Sequence, residues 1–178
     1  QELFAIVQRM IDEHGLRVHR GTIVDATIVD APKGRKGTKG TNTRDTDAGF
    51  TKKNGRSFHG YKAHVGTDTK GRFINDVIVT SATTPDNDAF DDLTTNETTA
   101  VFADKAYIDM EKKRDFRARG VFWGVLDRAS SGHPLSRKQQ KDNNQKSSVR
   151  SRGEHPFAWM KRTMRFAGVR FRGLRNNT

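Results

Sequence analysis

The 178-residue sequence contains no cysteine. Disulfide bonds and thiolate metal sites are therefore excluded, and a reducing compartment is permitted. Long apolar runs are missing as well, since no stretch approaches the about 18 residues of a membrane span. The N-terminal residues lack the basic and apolar regions of a secretory signal. These absences predict a protein without a membrane partner.

Acidic residues are scarce in the C-terminal part of the chain. From Arg128 to Thr178 there are 13 Lys and Arg against two acids, Asp142 and Glu154, so this segment carries +11 of the formal net charge of +12. A local excess of positive charge favours a polyanionic partner, of which nucleic acid is the commonest. The alternative is a disordered basic tail, although the aromatic residues among the bases favour a folded element.

Several common catalytic signatures are also missing. The six histidines form no HExxH pair, and the sequence has neither a GxSxG elbow nor a P-loop. The glycine-rich run GRKGTKG follows Pro32 and precedes no predicted helix, so it is a weak candidate for a phosphate-binding loop. The chemistry must therefore come from other residues.

Apolar periodicity and turn residues predict an alternation of helices and strands. The predicted strands are residues 22–31, 61–67, 72–81, 100–104 and 121–126, with a turn at 68–71. The predicted helices are an N-terminal helix that ends near Gly15, a short acidic helix after Pro85, and helices at 107–118 and about 148–165. Three consecutive strands followed by α/β alternation indicate an α/β fold whose mixed sheet has flanking helices.

Residues 33–57 combine eight basic and two acidic residues with many Gly and Thr. We interpret this segment as a flexible basic loop that is functional or disordered, because it is longer than a compact domain normally needs. The length of the chain suggests one domain. The sequence begins without Met inside a helical pattern, which we interpret as an internal piece of a longer protein.

One group of acids is dense in sequence and consists of Asp86, Asp88, Asp91 and Asp92. It lacks the glycine and the terminal glutamate of a calcium-binding loop. Acids at a helix N-terminus are explained by the helix dipole. We therefore favour a structural role for this group over a metal site.

Three single acids lie in more unusual places. Asp25 is in the middle of an apolar strand, Asp104 ends a buried strand, and Glu154 is alone on a basic helix. Each has a structural explanation: backbone donors or a base such as His64 for Asp25, a helix N-cap role for Asp104, and an ion pair with Arg150 for Glu154.

The same three acids also predict a metal site if they meet at one end of the sheet. Two carboxylates 4 Å apart at an effective dielectric near 20 repel each other by roughly 4 kcal/mol, so such a cluster needs a cation. Oxygen ligands without Cys favour Mg²⁺ or Mn²⁺. Two such ions about 3.5–4 Å apart catalyse phosphoryl transfer.

Four spaced blocks of the sequence resemble one known family. GTIVDATIVDAP, YKAHVGTDTKG, VFADKAY and EHPFAWMKRTMRFAGVRFRGLRNN resemble, in this order, the DDE-type transposases of bacterial insertion sequences. The resemblance implies a ribonuclease H-like core in which two Asp and one Glu bind two Mg²⁺ or Mn²⁺ ions. By motif match the catalytic and metal-binding residues are Asp25, Asp104 and Glu154.

The last block also resembles the family pattern Tyr-x2-Arg-x3-Glu-x6-Lys. Arg150, Glu154 and Lys161 fit this spacing, and Ser147 stands at the Tyr position. The spacing places the Arg, Glu and Lys on one helix face, where the cations would hold phosphate. The predicted DNA-binding residues are Arg150, Lys161, Arg152, Arg162, Lys52 and Lys53.

Gly153 and Pro156 bracket Glu154, and so we expect the helix to kink or restart there. In domain terms the resemblance implies that residues 1–20 are the remnant of a longer N-terminal region. Residues 21–178 would then be a ribonuclease H-like catalytic domain that is truncated at its C-terminus.

The resemblance implies an enzyme that cleaves and joins double-stranded DNA at insertion-sequence ends. We expect a homodimer when it is assembled on DNA, and a bacterial cytoplasmic location at the nucleoid. The alternative is a non-catalytic basic nucleic-acid-binding protein whose acids are structural.

Overall fold

A computed structural model of the chain describes residues 2–16, 21–35, 43–70, 73–94, 98–166 and 168–178. Within these residues, six strands form one mixed sheet. The strands are β1 (Thr22–Asp30), β2 (Gly49–Lys53), β3 (Arg56–Asp68), β4 (Ile74–Ser81), β5 (Ala100–Ala103) and β6 (Phe122–Trp123). The α-helices are α1 (Glu2–Glu13), α2 (Met110–Ala118), α3 (Arg137–Arg150) and α4 (Glu154–Arg162).

The sheet has an antiparallel half and a parallel half. β3 pairs antiparallel with β1, β2 and β4, whereas β5 pairs parallel with β1 and β6 pairs parallel with β5. The predicted α/β fold with a mixed sheet, in which antiparallel strands precede an α/β alternation, is therefore confirmed. Among the described residues, no helix is long and apolar enough to cross a membrane.

β1 forms because it consists almost entirely of β-branched and small apolar residues. Successive side chains of a strand point to opposite faces, so Val24 lies on one face of the sheet and Ile23, Asp25 and Thr27 lie on the other. The core lies on the Val24 face. Its buried members are Val24, Phe90, Leu93, Val101, Ala103, Tyr107, Phe116, Trp123 and Val125.

The predicted flexible loop at 33–57 is wrong in its second half. β2 ends at Lys53, and the chain turns through Asn54 and Gly55, which have φ angles of 50° and 76°, into β3. Asn-Gly is a strong hairpin signal because both residues tolerate positive φ. The turn between β2 and β3 was therefore recognisable from the sequence. Residues 36–42 of the predicted loop lie outside the described residues.

The predicted final helix at 148–165 begins earlier and is divided in two. The Ser136 hydroxyl accepts a hydrogen bond from the Gln139 amide, while the Gln139 side chain accepts one from the Ser136 amide. This capping box starts α3 eleven residues before the predicted position, at Arg137. The predicted restart is confirmed, since a 3₁₀ turn at Ser151–Gly153 separates α3 from α4.

The remaining elements match their predictions with shifted ends. Asp109 caps the amides of Glu111 and Lys112, so α2 starts at Met110 instead of residue 107. The predicted acidic helix is a 3₁₀ turn at Asp86–Ala89.

The N-terminal helix and the strands differ from prediction mainly at their ends. α1 ends before Gly15, whose φ is +61°, as predicted. The predicted strand 121–126 is regular only at Phe122–Trp123. β3 begins at Arg56, five residues before the predicted start, and β4 begins at Ile74. Residues 71–72, in the predicted hairpin turn and strand start, lie outside the described part.

Candidate active site

Asp25 lies in the middle of β1 with its side chain 24% exposed. Its Oδ1 accepts a hydrogen bond from the Ala26 amide at 2.9 Å, as the backbone-donor interpretation expected. Burial raises the pKa of Asp25 above its ordinary value, and the Glu154 carboxylate adds to the increase. The Ala26 hydrogen bond and the charges of Arg150 and Lys53 lower the pKa without cancelling that increase. The Ala26 hydrogen bond and the nearby cations therefore offset only part of the cost of burying the Asp25 charge.

Asp104 directly follows β5, the strand that pairs in parallel with β1. The parallel register pairs Val24 with Ala103, and these two residues are followed in sequence by Asp25 and Asp104. Since Val24 and Ala103 both face the core, we place the two aspartates on the opposite side of the sheet. Asp104 Oδ1 accepts a hydrogen bond from the Lys105 amide at 2.7 Å. The predicted N-cap role is thus confirmed, for a 3₁₀ helix at Lys105–Tyr107.

Arg150 joins Glu154 to Asp25. Its Nη2 donates to Glu154 Oε1 at 2.8 Å, and its Nη1 lies 3.7 Å from Asp25 Oδ2. The predicted ion pair between Arg150 and Glu154 is therefore confirmed. The guanidinium also brings the acid of α4 and the acid of β1 into one group.

The close approach of the helices to β1 depends on a glycine. Gly153 is buried, and a Cβ at this position would lie 2.6 Å from Ile23 Cγ2. Ile23 and Asp25 are on the same face of β1. The 3₁₀ turn thus crosses this face directly above Ile23, which carries Arg150 and Glu154 toward Asp25.

Lys161 reaches the same face of β1 from α4. Its Nζ donates to Thr27 Oγ1 at 2.5 Å and lies 3.4 Å from the Ile28 carbonyl oxygen. Burial lowers the pKa of Lys161, and the positive charge of Lys53 lowers it further, against an opposing effect of Asp30. The predicted Arg, Glu and Lys of the helices therefore all lie over β1.

The other predicted DNA-binding residues are spread around this face. Lys52 and Lys53 line a groove of about 230 Å³ that also contacts Thr27. Arg152 instead donates to the Thr69 carbonyl oxygen at 3.0 Å, between β3 and β4. Arg162 is exposed on α4.

His64 is not the partner of Asp25, so that alternative was wrong. His64 pairs with Ala26 across the antiparallel register and lies on the other face of the sheet. Its Nε2 is 2.8 Å from Thr80 Oγ1. Burial lowers the pKa of His64.

The dense acidic group has ion-pair partners of its own. Asp86 Oδ1 lies 2.8 Å from Lys62 Nζ, and Asp91 Oδ2 lies 2.6 Å from Lys112 Nζ. These pairs connect the segment before β5 to β3 and α2. Structural ion pairs therefore account for two of the four acids.

The three candidate ligands supply the donor type that a divalent cation prefers, namely carboxylate oxygen. In the described part of the chain, no group of three His, Asp or Glu side chains converges closely enough to hold a metal ion. The Arg150 guanidinium lies between Asp25 and Glu154 instead. The residue types therefore fit a metal site, while their present positions favour an internal cation.

Thr27 at the site and Tyr107 in the core on the other face of the sheet were missed by the sequence interpretation. Thr27 binds Lys161, and the alternation that places it on the Asp25 face could have identified it. Tyr107 is buried, and its hydroxyl has no hydrogen-bond partner among the described residues. Burial raises the pKa of Tyr107, with further increases from Asp86, Asp25 and Asp104. Its apolar ring gave no sequence signal beyond that of a core residue.

The family model of the transposase DDE domain matches residues 16–178 of the chain. The matched range contains Asp25, Asp104 and Glu154. No solved structure matches the chain.

Proposed function

We propose, on the premise that this chain belongs to the transposase DDE domain family, that it cleaves and joins DNA at the ends of insertion sequences. The family consists of enzymes of DNA strand cleavage and transfer, which generally use divalent metal ions and have DNA as their partner. Membership of this family therefore associates the chain with DNA transposition and recombination.

The observation that supports this proposal is the grouping of charges on one face of β1. Asp25 and Asp104 follow Val24 and Ala103, which pair in the parallel register of β1 and β5, and Glu154 is joined to Asp25 through Arg150. Residues that are 79 and 129 positions away from Asp25 in sequence are thus brought to the same side of the sheet. A basic helix pair covers the same face.

In the proposed site, Asp25, Asp104 and Glu154 hold two Mg²⁺ or Mn²⁺ ions. When bound, such ions activate an attacking oxygen and stabilise the leaving oxygen of a phosphodiester. The chain itself supplies the carboxylate ligands and fixes them on β1, the end of β5 and the start of α4. Rigid elements of this kind hold a reacting group more accurately than loops do.

The surrounding cations bind and orient the DNA backbone. Lys161 is fixed on Thr27, which lies two residues from Asp25 on the same face of β1. Arg150 offers a planar guanidinium, which matches a phosphate through two parallel hydrogen bonds. We assign further phosphate contacts to Lys53 and Lys52, beside the groove next to β1, and to Arg162 and Arg152 on the helical segment.

The proposed fold is ribonuclease H-like. Three antiparallel strands, β4, β3 and β1, are followed in the sheet by the parallel strands β5 and β6. Ligands of open α/β sheets bind near the carboxyl ends of strands, where Asp104 follows β5. We assign residues 21–178 to this domain.

We propose double-stranded DNA as the substrate, both at the element ends and at the target. A protein that works on a bacterial chromosome acts in the cytoplasm at the nucleoid. Joining two ends requires two copies of the active site near each other, so we propose a homodimer on DNA. The role of Ser147, at the expected Tyr position, is outside this proposal.

A strand-nicking assay tests the proposal. The purified chain is mixed with DNA that carries insertion-sequence ends, with Mg²⁺, with Mn²⁺ or with a chelator. We expect metal-dependent nicks at the ends, and loss of nicking in Asp104→Asn. Undiminished nicking by that variant would show that Asp104 does not belong to the site.

A second candidate function is non-catalytic binding of nucleic acid. It is favoured by the Arg150 guanidinium between Asp25 and Glu154 and by the N-cap role of Asp104, since both give the acids a structural use. This function predicts no effect of Mg²⁺ on the melting temperature. Mg²⁺-dependent stabilisation of the wild type would favour the enzyme instead.

A further inference from the structure

Arg150 makes two unequal contacts with the proposed metal ligands. The 2.8 Å contact with Glu154 is a hydrogen-bonded ion pair, whereas the 3.7 Å contact with Asp25 is too long for a hydrogen bond. The Arg150 side chain is only 22% exposed, so both contacts are partly shielded from water. The guanidinium therefore neutralises the two acids electrostatically without binding both of them well.

The Arg150 guanidinium uses few of its N–H groups as hydrogen-bond donors. An arginine side chain has five N–H donors, and Arg150 Nε is buried without a hydrogen-bond partner among the described residues. A planar guanidinium binds best through two parallel hydrogen bonds to one carboxylate or phosphate. The present position provides no such paired contact in the described part of the chain. Leaving this position thus sacrifices few hydrogen bonds.

We propose that Arg150 is an exchangeable internal counter-ion that a divalent cation displaces from Asp25 and Glu154. In the metal-free protein it reduces the electrostatic repulsion between the two carboxylates. A doubly charged cation performs this task better and repels the guanidinium. The inference rests on the proposed function, because it assumes that these carboxylates bind a metal ion.

Displacement makes Arg150 available to DNA. Once released, the guanidinium can form the paired phosphate contact that its present position denies it. Metal binding then strengthens DNA binding, and by thermodynamic linkage DNA strengthens metal binding by the same factor. The order of events is metal first, followed by the phosphate contact of Arg150.

Calorimetric titration with MgCl₂ tests the exchange directly, without any cleavage. We compare the wild type with Arg150→Gln, which has no guanidinium to displace. The control is Arg119→Gln, because Arg119 forms a similar ion pair with Asp115 at 3.0 Å, four residues away. Arg119 stacks on Phe116, which packs in the core on the opposite face of β1.

We expect Arg150→Gln to bind Mg²⁺ about five- to tenfold more tightly than the wild type, and Arg119→Gln to stay within about twofold of it. Mg²⁺ binding by Arg150→Gln without detectable binding by the wild type would also support the exchange. Equal or weaker binding by Arg150→Gln, with binding by the wild type, overturns the exchange and leaves the proposed function intact. Equal tightening in both variants also overturns it, because a general charge effect would explain the result.

If neither the wild type nor Arg150→Gln binds Mg²⁺, both the exchange and the proposed metal site are overturned. A second measurement uses the wild type and so does not depend on the folding of a variant. The Arg150 Nε–Hε signal is followed by nuclear magnetic resonance during the addition of MgCl₂. We expect it to shift while the Arg119 signal stays in place, and an unmoved Arg150 signal at saturating Mg²⁺ overturns the exchange.

Discussion

Gly153 and Ile23 are so close that no side chain fits at position 153. A Cβ there would lie 2.6 Å from Ile23 Cγ2, a distance that real Cβ atoms essentially never show. The contact fixes where the 3₁₀ turn crosses β1. Because Arg150 and Glu154 flank this turn, the contact also fixes their positions over Asp25. A single small residue thus determines the geometry of the candidate site.

We expect Gly153→Ala to destabilise the protein. The backbone angles of Gly153, φ −68° and ψ −15°, suit alanine, and restricting the unfolded chain would stabilise the fold by about 0.4–1 kcal/mol. Overpacking against a core side chain costs about 1–3 kcal/mol and outweighs this gain. The net loss should be about 1–2 kcal/mol. Urea unfolding measures it.

A double-mutant cycle tests whether Ile23 is the cause. Ile23→Ala alone should cost about 2–5 kcal/mol because Ile23 is fully buried. It also removes the Cγ2 atom that the new methyl group would meet. Gly153→Ala should therefore cost less in this background than in the wild type. An equal cost in both backgrounds would show that the contact with Ile23 does not decide the effect.

Asp25→Asn should raise the melting temperature of the metal-free protein by a few degrees. Burial raises the pKa of Asp25, so the charged form is less favourable in the folded than in the unfolded state at neutral pH. The amide keeps an oxygen that can accept the Ala26 hydrogen bond and carries no charge. Differential scanning calorimetry with a chelator measures the change.

The same Asp25 variant should lose the stabilisation by Mg²⁺ that we expect for the wild type. Asp115→Asn is the control, since Asp115 is an exposed acid on α2 and should keep the response to Mg²⁺. A lower melting temperature of Asp25→Asn without metal would mean that the attraction of Arg150 outweighs the cost of burial.

The sequence predicted the positions of the acids better than their surroundings. The alternation in β1 places Asp25 and Thr27 on one face of the strand, and helical spacing predicted that Arg150, Glu154 and Lys161 share one face of the helix. Both patterns follow from local backbone geometry. The structure brings these two faces together, as the proposed site requires.

The contacts between distant segments were not predictable from such patterns. The contact of Gly153 with Ile23 depends on how α3 and α4 pack on the sheet, and nothing in either local sequence encodes the distance. The guanidinium of Arg150 between two acids is likewise a tertiary result. The β2–β3 hairpin was different, because its Asn54-Gly55 turn was present in the sequence and was masked by the basic composition around it.

Asp45 should make the stability of the protein sensitive to acid. Its Oδ2 accepts hydrogen bonds from the Tyr61 hydroxyl at 2.7 Å and from the Gly173 amide at 2.9 Å. Burial raises the pKa of Asp45, but the hydrogen bonds from Gly173, Tyr61 and Asp47 outweigh it, and the pKa lies below the ordinary value of 3.8. The carboxylate therefore stabilises the fold above that value and loses its effect as the pH falls through the lower, folded pKa.

Urea unfolding between pH 7 and pH 3 checks this prediction. Asp45→Asn should lose about 1–3 kcal/mol at pH 7, because it weakens the hydrogen bonds of a buried group. Its stability should then fall less steeply than that of the wild type below about pH 4. Parallel curves for the two proteins would contradict a role of the Asp45 charge in holding the C-terminal segment.

Lys53 should contribute one phosphate contact to DNA binding. It is exposed at the end of β2, and its charge affects the pKa of both Asp25 and Lys161, which places it beside the candidate site. Each phosphate that a protein neutralises contributes about −0.9 to the slope of log K against log salt concentration. Lys53→Ala should therefore make this slope less negative by about 0.9. Fluorescence anisotropy with labelled duplex DNA from 50 to about 200 mM salt measures it.

Arg119→Gln is the matched control for Lys53→Ala. It removes the same charge from the opposite side of the sheet, where Arg119 is already paired with Asp115. We expect its salt slope to equal that of the wild type. An equal loss of slope in both variants would mean that DNA responds to the total charge of the protein, because long-range attraction does not depend on which cation is removed. A loss restricted to Lys53→Ala instead places the DNA backbone along the β2 edge of the site, since a counter-ion is released only where a phosphate is bound.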